Sequence, residues 1–268
     1  MRQVIGAVVG PGASPVASEL LAGLSGLSRI KVKDAMQKGA VLLRRPRAKA
    51  VRLRRARAVL QPGDGVTLSY DDELLARVPP TPDCRLDAGR YSVWFKPAGL
   101  MTQGTAFGDH CALLRLAELQ LRPRPVYPVH RLDREAAGLV LLAHDGAAAA
   151  VFSRLFAERA IAKGYRVEVR GRPENEIGRI DLPLDGRPAL TRYRLTAYDP
   201  ALDSSALEVE TATGRKHQIR RHLALVGVPV IGDPRYGRGN KDPGGLRLTA
   251  HRLAFQCPFS GRSMEFTI

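Results

Sequence analysis

From Arg90 onward, short apolar runs recur with turn residues between them, and this pattern constrains the fold more than any other feature of the chain. Runs of this kind are typical of β-strands. The predicted strands are 91–95, 138–143, 165–169, 191–198, 206–211 and 246–255, and the predicted helices are 112–121, 146–162 and 216–226. Many strands with a few inserted helices predict an α+β domain with a mixed or mainly antiparallel sheet.

The N-terminal part shows a different pattern, in which helices come first. Ser28 is a natural N-cap, and Gly39 a natural end, for the second of two predicted helices. The predicted elements are helices at 16–25 and 29–38, a strand at 41–43, a basic hairpin or loop at 44–57 and a strand at 66–70. Residues 78–90 contain three prolines and no periodic pattern, so we predict a linker there. The chain is therefore divided into a small α/β module at 14–80 and a larger domain at 88–268.

A formal net charge of +16 indicates a polyanionic partner. Nucleic acid is the expected one, with a merely soluble basic protein or an anionic membrane surface as the alternatives. Between residues 29 and 57 the sequence is rich in lysine and arginine, and Asp34 is its only acidic residue. The predicted RNA contacts are Arg29, Lys33, Lys38, Arg44, Arg45, Arg52, Arg54 and Arg55. Cations spread over a helix and a loop reach successive phosphates, although a solvated basic face without a ligand has the same composition.

The cysteines and the apolar segments indicate the cellular compartment of the protein. Cys84, Cys111 and Cys257 lie far apart without a C-x-x-C pair, which argues against a disulfide scaffold and a zinc site and fits a reducing cytosol. The apolar stretch at 4–9 is too short for a signal peptide or a membrane span. We expect a cytoplasmic monomer that binds no membrane and no metal.

Asp133 lies in the segment most suited to chemistry, which runs from Tyr127 to Glu135. It gathers five ionisable side chains between a proline-directed turn and an apolar strand. Such clustering is typical of a functional site, but a surface ion-pair cluster fits the local pattern equally well.

Two further segments carry hydrogen-bond donors. Residues 213–222 lead into a helix whose start, with its free amides and positive dipole end, favours phosphate, unless this is only a solvated basic face. Residues 162–167 place Tyr165 beside cations, where it either stacks on an unpaired base or belongs to the core.

These segments occur together in the order of a known family. The chain contains KPAGL from Lys96, HRLD from His130 followed by GLVLLA, K-x-Y from Lys163, TGRKHQIRRH from Thr213 and GVPVIGDPRYG from Gly227. Together they resemble the RluA-type pseudouridine synthases, from Lys96 to about Pro258. The N-terminal pattern resembles the alpha-L RNA-binding module of certain ribosomal proteins and tyrosyl-tRNA synthetases, which also occurs in this family.

The resemblance implies that the chain isomerises uridine to pseudouridine in ribosomal RNA, or in tRNA, without a cofactor. Asp133 would be the catalytic carboxylate, acting as a nucleophile or as a base. Tyr165 would stack on the target base and assist the final proton removal. Burial disfavours an ionised carboxylate, so a cation must oppose that effect. Arg220 is the implied partner, with Arg215 as the alternative.

Other implied roles surround a base flipped out of its stack. Arg131 would fill the vacated space, and Ile231 or Val230 would pack on the base. The remaining substrate contacts are Arg215, Lys163, His217 and Gln218. Lys96 and His130 would support the site.

Two positions depart from the family pattern. Ala136-Ala137 stands where Thr-Ser is usual, and Cys257 stands where a histidine is common. Losing the two hydroxyls removes hydrogen bonds that orient the loop. This change is the one sequence feature that favours the alternative, a non-catalytic RNA-binding or ribosome-assembly protein that retains the synthase fold.

Overall fold

The computed structural model describes residues 1–237 and 240–268 and contains two compact units. The N-terminal unit comprises Met1–Pro79 and Gln103–Gln120, and the C-terminal unit comprises Pro80–Thr102 and Leu121–Ile268. The described strands are β1 (Arg2–Val8), β2 (Val41–Arg44), β3 (Val51–Arg52), β4 (Gly65–Asp71), β5 (Asp83–Asp87), β6 (Tyr91–Lys96), β7 (Tyr127–Pro128), β8 (Ala137–Ala143), β9 (Ala162–Arg170), β10 (Ile177–Asp181), β11 (Leu190–Asp199), β12 (Ser204–Thr211), β13 (Leu248–Gln256) and β14 (Ser263–Thr267). The described helices are α1 (Ala17–Ser25), α2 (Arg29–Gln37), α3 (Asp72–Leu75), α4 (Leu113–Gln120), α5 (Gly146–Ala157) and α6 (Gln218–Leu225).

The N-terminal unit packs α1 and α2 with a sheet of order β1-β4-β2-β3. Ser28 caps α2 as expected, since its hydroxyl accepts a hydrogen bond from the Lys31 amide. Strand β1, which the sequence interpretation left outside the module, pairs with β4 along its whole length. The unit therefore begins near Arg2 and not at residue 14.

Residues 103–120 also fold with the N-terminal unit, whereas the sequence placed them in the larger domain. The Asp109 amide donates to the Lys38 carbonyl at 2.9 Å. Its carboxylate pairs with Arg52 at 2.8 Å and with Arg54 at 2.5 Å. These long-range contacts are invisible to a reading of local pattern, which explains the wrong boundary.

The C-terminal unit is built on a sheet of order β10-β11-β12-β9-β13-β8-β6-β5, with β14 on β13 and β7 on β8. The described pairs are antiparallel except β13 with β8, which is parallel. The predicted α+β class with a mixed sheet is confirmed. The predicted linker at 78–90 is wrong in part, because β5 pairs with β6. Half-buried Cys84 and Leu86 alternate there with exposed neighbours, a short pattern that the preceding prolines obscured.

Gly138 permits the parallel junction of β8 and β13. Its φ is 127°, in the region that favours glycine, and a Cβ there would collide with the backbone of Ala250. The junction therefore requires glycine, and it fixes the strand that follows the HRLD segment.

An aromatic cluster forms the core beside this junction. Phe152 of α5 lies edge-on to Tyr91, with ring centroids 5.1 Å apart, and to Phe255, at 5.6 Å. Buried aromatic pairs of this geometry add about 0.5–1.5 kcal/mol to the stability that burial supplies. Helix α5 ends at Ala157, earlier than predicted, because Arg159 has a φ of 62°. No described helix is long and apolar enough to cross a membrane.

Candidate active site

The Asp133 loop joins β7 to β8 and is fixed on both sides of the carboxylate. The Thr102 hydroxyl donates to the Leu132 carbonyl at 2.8 Å and accepts from the Leu132 amide at 3.1 Å. The Lys96 ammonium, which is fully buried, donates to the Ala136 carbonyl at 2.6 Å and to the Leu100 carbonyl at 2.8 Å. The loop backbone at Leu132 and Ala136 is thus held by Thr102 and Lys96, without any hydroxyl at positions 136 and 137.

Burial shapes the charge of Lys96. It lowers the pKa of the ammonium to about 8, and the carboxylates of Asp133 and Glu135 oppose that change. The ammonium therefore remains mostly protonated at neutral pH, as its bonds to several carbonyls require. Lys96 supports the loop, which is the role expected for it.

Arg220 of α6 is the cation nearest to Asp133 among the described residues. Its Nη1 lies 3.1 Å from Asp133 Oδ2 and 3.6 Å from a Glu135 oxygen. The Arg220 side chain is 1% exposed, whereas that of Asp133 is 20% exposed. The carboxylate therefore remains accessible to a substrate while its partner is sealed in the protein. Arg215, the alternative partner, instead donates through Nε to the Pro188 carbonyl at 3.1 Å.

Asp233 fixes the orientation of Arg220 and was not singled out from the sequence. Its two oxygens accept from Nε at 2.7 Å and from Nη2 at 2.8 Å, in a bidentate pair with no exposed surface on the carboxylate. Burial lowers the pKa of Arg220, but the hydrogen bonds and charges of Asp233 and Asp133 outweigh it and raise the pKa overall. One guanidinium therefore stays charged between two aspartates.

His217 lies on the other side of Asp133. Its Nε2 is 3.7 Å from Asp133 Oδ1, and its Nδ1 is 3.0 Å from the Tyr236 hydroxyl. His217 precedes α6 with a φ of 53°, a backbone conformation that residues other than glycine rarely adopt. Burial lowers the pKa of the imidazole, with the Asp133 charge opposing.

Gln218 supports this turn, although the sequence predicted it as a substrate contact. Its side chain is buried, with Oε1 accepting from the Thr213 hydroxyl at 2.6 Å and from the Arg215 amide at 3.1 Å. Its Nε2 donates to the Leu190 carbonyl at 2.9 Å. The amide is occupied on both sides, so the predicted substrate contact is replaced by a structural one.

Tyr165 stands in β9, paired with Val209 and with Ala250. Its side chain is mostly buried, and burial, together with the charge of Asp133, raises the pKa of the phenol to about 12. The hydroxyl therefore stays protonated at neutral pH. A protonated phenol offers a ring face and a hydrogen bond, but it is not a base.

The comparisons with known proteins agree with this geometry. Residues 90–225 match the family model described as RNA pseudouridylate synthase. The chain belongs to this family. The match begins at the aromatic core and ends in α6, so it includes Asp133, Tyr165 and Arg220.

Several relatives resemble this family member. An uncharacterized RNA pseudouridine synthase of Chloroflexus aurantiacus is 40% identical over 64% of this chain and 60% of that protein. Dual-specificity RNA pseudouridine synthase RluA of Pasteurella multocida is 30% identical over 72% of this chain and 97% of that protein. Ribosomal large subunit pseudouridine synthase D of Zymomonas mobilis is 34% identical over 52% of this chain and 50% of that protein. The first and last matches thus span less than two thirds of those relatives.

A solved structure shares the fold. Human RNA Pseudouridylate Synthase Domain Containing 1 aligns with a TM-score of 0.59 and 22% identity, over 72% of this chain and 86% of that one. At this identity the likeness shows the architecture of the family.

The other predicted site residues of this family member lie at varied depths. Arg131 is exposed beside Asp133. Lys163 lies 5.9 Å above the ring of Phe156, and burial lowers the pKa of its ammonium. Ile231 is half-buried, whereas Val230 is fully buried, so Ile231 is the one of the two with exposed surface.

His130 of the HRLD motif is a structural residue. Its Nε2 accepts from the Leu141 amide at 2.9 Å, and its ring lies 4.3 Å from that of Phe156. Burial lowers the pKa of the imidazole to about 3, so it is neutral at physiological pH.

The predicted RNA contacts of the N-terminal unit separate into two groups. Arg52 and Arg54 are committed to Asp109, Lys38 to Asp34, and Arg29 to Glu19. Within the described chain Lys33, Arg44, Arg45 and Arg55 are exposed without an ion pair. The second group remains available to phosphates, whereas Arg52 and Arg54 hold the unit together.

Proposed function

We propose that this chain isomerises uridine to pseudouridine in RNA, with Asp133 as the catalytic carboxylate. The observation that carries the proposal is the contact of a partly exposed Asp133 with a sealed, permanently charged Arg220 at 3.1 Å. A carboxylate with a fixed cationic partner and an exposed face can meet a substrate, which both routes to pseudouridine need.

The reaction breaks the bond between ribose and the uracil nitrogen, turns the base and rejoins it through a ring carbon. Asp133 acts either as a nucleophile on the anomeric carbon or as a base that removes the neighbouring ribose proton. Either role requires the base to leave its stack, at a cost of a few kcal/mol. Tyr165 would stack on the extruded base, Ile231 would cover its other face, and exposed Arg131 would occupy the vacated space.

The phenol of Tyr165 does not act as the final base in this scheme, because it is protonated at neutral pH. It holds the base and donates a hydrogen bond. Lys163 and Arg215 line the approach of the RNA strand.

Ribosomal RNA is the proposed substrate, and tRNA is the alternative. The name of the Zymomonas relative, a ribosomal large subunit pseudouridine synthase, supports ribosomal RNA. A net charge of +16 supports either RNA. We further propose that the N-terminal unit anchors the RNA through Lys33, Arg44, Arg45 and Arg55. The expectation of a cytoplasmic monomer also stays a prediction, and light scattering on the purified chain tests the monomer.

Asp133→Asn tests the proposed activity. The amide keeps the shape of the side chain but serves neither as a nucleophile nor as a base, so we expect a loss of at least about a thousandfold in turnover with little change in RNA binding. The substrate is bulk RNA from a strain lacking the protein, assayed by mapping pseudouridines with and without the enzyme.

Asp185→Asn is the matched control, because Asp185 is an exposed aspartate that pairs with Arg221. It should convert RNA like the wild type. Near-normal turnover by Asp133→Asn would refute the assignment. The contacts of Thr102 and Lys96 to the backbone of Leu132 and Ala136 weigh against the non-catalytic alternative, because they need no hydroxyl at 136 or 137.

A further inference from the structure

The two oxygens of Asp133 have different neighbours. Oδ2 accepts from Arg220 Nη1 at 3.1 Å, so one of its lone pairs is engaged by a buried cation. Oδ1 faces His217 Nε2 at 3.7 Å, which is longer than a hydrogen bond. Oδ1 is therefore the oxygen free to meet the ribose, and His217 is the side chain at its edge.

His217 is held in this position by Tyr236. The phenol oxygen lies 3.0 Å from His217 Nδ1, and the two rings meet edge-on with centroids 5.7 Å apart. Tyr236 is itself fixed, since its amide donates to Asp233 at 3.1 Å and its ring lies 5.4 Å from the Arg220 guanidinium. Arg220 and Tyr236 are thus both hydrogen-bonded to the buried carboxylate of Asp233.

The backbone at His217 is unusual in a way that serves this contact. A φ of 53° in a residue other than glycine is strained and persists only where the surroundings enforce it. Here the buried amide of Gln218 enforces it, through bonds to Thr213, Arg215 and Leu190. The turn directs the imidazole to Asp133 before α6 begins.

The protonation of His217 follows from the groups around it. Facing it are Asp133, Tyr236 and the cations Arg220, Arg235 and Lys216. Burial and the three cations lower the pKa of the imidazole and Asp133 raises it, with a lowered value as the result, so the ring is neutral at pH 7. A neutral imidazole carries one proton, on Nδ1 or on Nε2. A proton on Nδ1 would leave an unprotonated Nε2 facing the Asp133 carboxylate. When the Tyr236 hydroxyl donates to Nδ1, the proton of the imidazole is on Nε2 and points to Asp133.

We propose that Tyr236 and His217 form a positioning pair that presents an N–H group to Oδ1 of Asp133, the oxygen that reacts. No proton or bond is transferred by the pair. Its N–H approaches Oδ1 when the RNA closes the site, as catalytic hydrogen bonds often shorten on substrate binding. The proposal rests on Asp133 being the catalytic carboxylate.

Three single variants and one double variant test the pair. Tyr236→Phe keeps the ring beside Arg220 and removes only the hydroxyl. His217→Asn tolerates the positive φ but is too short to reach Asp133. His217→Gln extends an amide N–H to about the place of Nε2. The probe is RNA carrying tritium at uracil C5, prepared from a strain lacking the protein, since joining the ribose at C5 releases that tritium.

We expect Tyr236→Phe to lower kcat about tenfold, as loss of one aligned hydrogen bond would, with KM changed by less than about twofold. His217→Asn should lower kcat about a hundredfold, and His217→Gln should recover most of that loss. Because Tyr236 acts through His217, adding Tyr236→Phe to His217→Asn should cost less than about twofold more.

Tyr198→Phe is the matched control, because it removes a hydroxyl that bonds Asp203 at 3.0 Å on an exposed strand. Thermal unfolding of every variant verifies folding. Wild-type kcat in Tyr236→Phe, multiplicative losses in the double variant, or losses confined to KM would each overturn the pair. Near-normal turnover by Asp133→Asn would instead overturn the proposed function itself.

Discussion

The two units each contain a cluster of arginine and aspartate side chains that are at least half-buried, but the numbers of cations and carboxylates are reversed. In the C-terminal unit one guanidinium, Arg220, serves the carboxylates of Asp133 and Asp233. In the N-terminal unit one carboxylate, Asp109, serves Arg52 and Arg54. Neither arrangement is recognisable from the local sequence, since the partners are far apart along the chain.

The difference between the two clusters shows how a charged cluster is left open to a substrate or closed to it. Asp133 shares its cation and keeps one oxygen without a hydrogen-bond partner in the described chain, as reactivity requires. Arg52 and Arg54 also donate to carbonyls, of Thr105 and of Gln37 respectively, at 2.9 Å each. Both arginines pair with Asp109 Oδ2, and the unpartnered Oδ1 has no exposed surface. Their cluster is therefore closed to a substrate, and it fastens residues 103–120 within the N-terminal unit.

Arg220→Met should give the largest effect. It removes the partner of Asp133 and leaves the buried Asp233 uncompensated, so we expect loss of activity and a free energy of unfolding lower by about 3–5 kcal/mol. Denaturant unfolding monitored at Trp94, in β6, reports on the C-terminal unit. Adding Asp233→Asn should restore part of the stability and none of the turnover. Wild-type stability in the single variant would contradict the shared-cation arrangement.

Asp109→Asn probes the closed cluster and should have a smaller effect. Its arginines keep their carbonyl partners, so we expect the N-terminal unit to lose about 1–2 kcal/mol of stability while kcat on bound RNA is unchanged. Asp34→Asn, at a more exposed pair with Lys38, is the control and should cost less than about 0.5 kcal/mol. Equal losses in both variants would remove the distinction between a fastening cluster and a surface pair.

The smallest expected effect concerns the salt dependence of RNA binding. Each lost phosphate contact lowers the slope of log K against log salt by about 0.7–0.9. Replacing Arg44 and Arg45 by alanine should therefore lower the slope by up to about 1.8. The same change at Arg52 and Arg54 should weaken the unit but leave the slope nearly unchanged. An equal fall in both double variants would place all four arginines on the RNA.

The sequence predicted the fold class and the pair of Asp133 with Arg220, because ordered motifs carry them. It did not reveal Asp233 as the support of Arg220, although GVPVIGD contains it. A buried bidentate pair depends on three-dimensional packing, and a lone aspartate in a glycine-rich turn gives no local sign of it. Gln218 was interpreted as a substrate contact for the same reason, since its partners Thr213 and Leu190 cannot be read from helix periodicity.

Boundaries failed where long-range pairing decided them. Strand β1 and residues 103–120 were placed outside the N-terminal unit, because only pairing with β4 and with Asp109 assigns them. The sequence predicts the basic residues at 29–57 as one RNA-binding surface, and that role stays a prediction. Only their contacts divide them, since Arg52 and Arg44 are the same residue type but Arg52 alone is paired with Asp109.

The place of β13 in the sheet bears on when the proposed active site can form during synthesis. This strand follows β8 and β9 along the chain, yet it lies between them in the sheet and joins them. Until the ribosome has released it, the Asp133 loop and the strand of Tyr165 belong to separate fragments of sheet. Because domains fold as their chain emerges, the N-terminal unit can form first, whereas the proposed active site is assembled only after β13 has emerged.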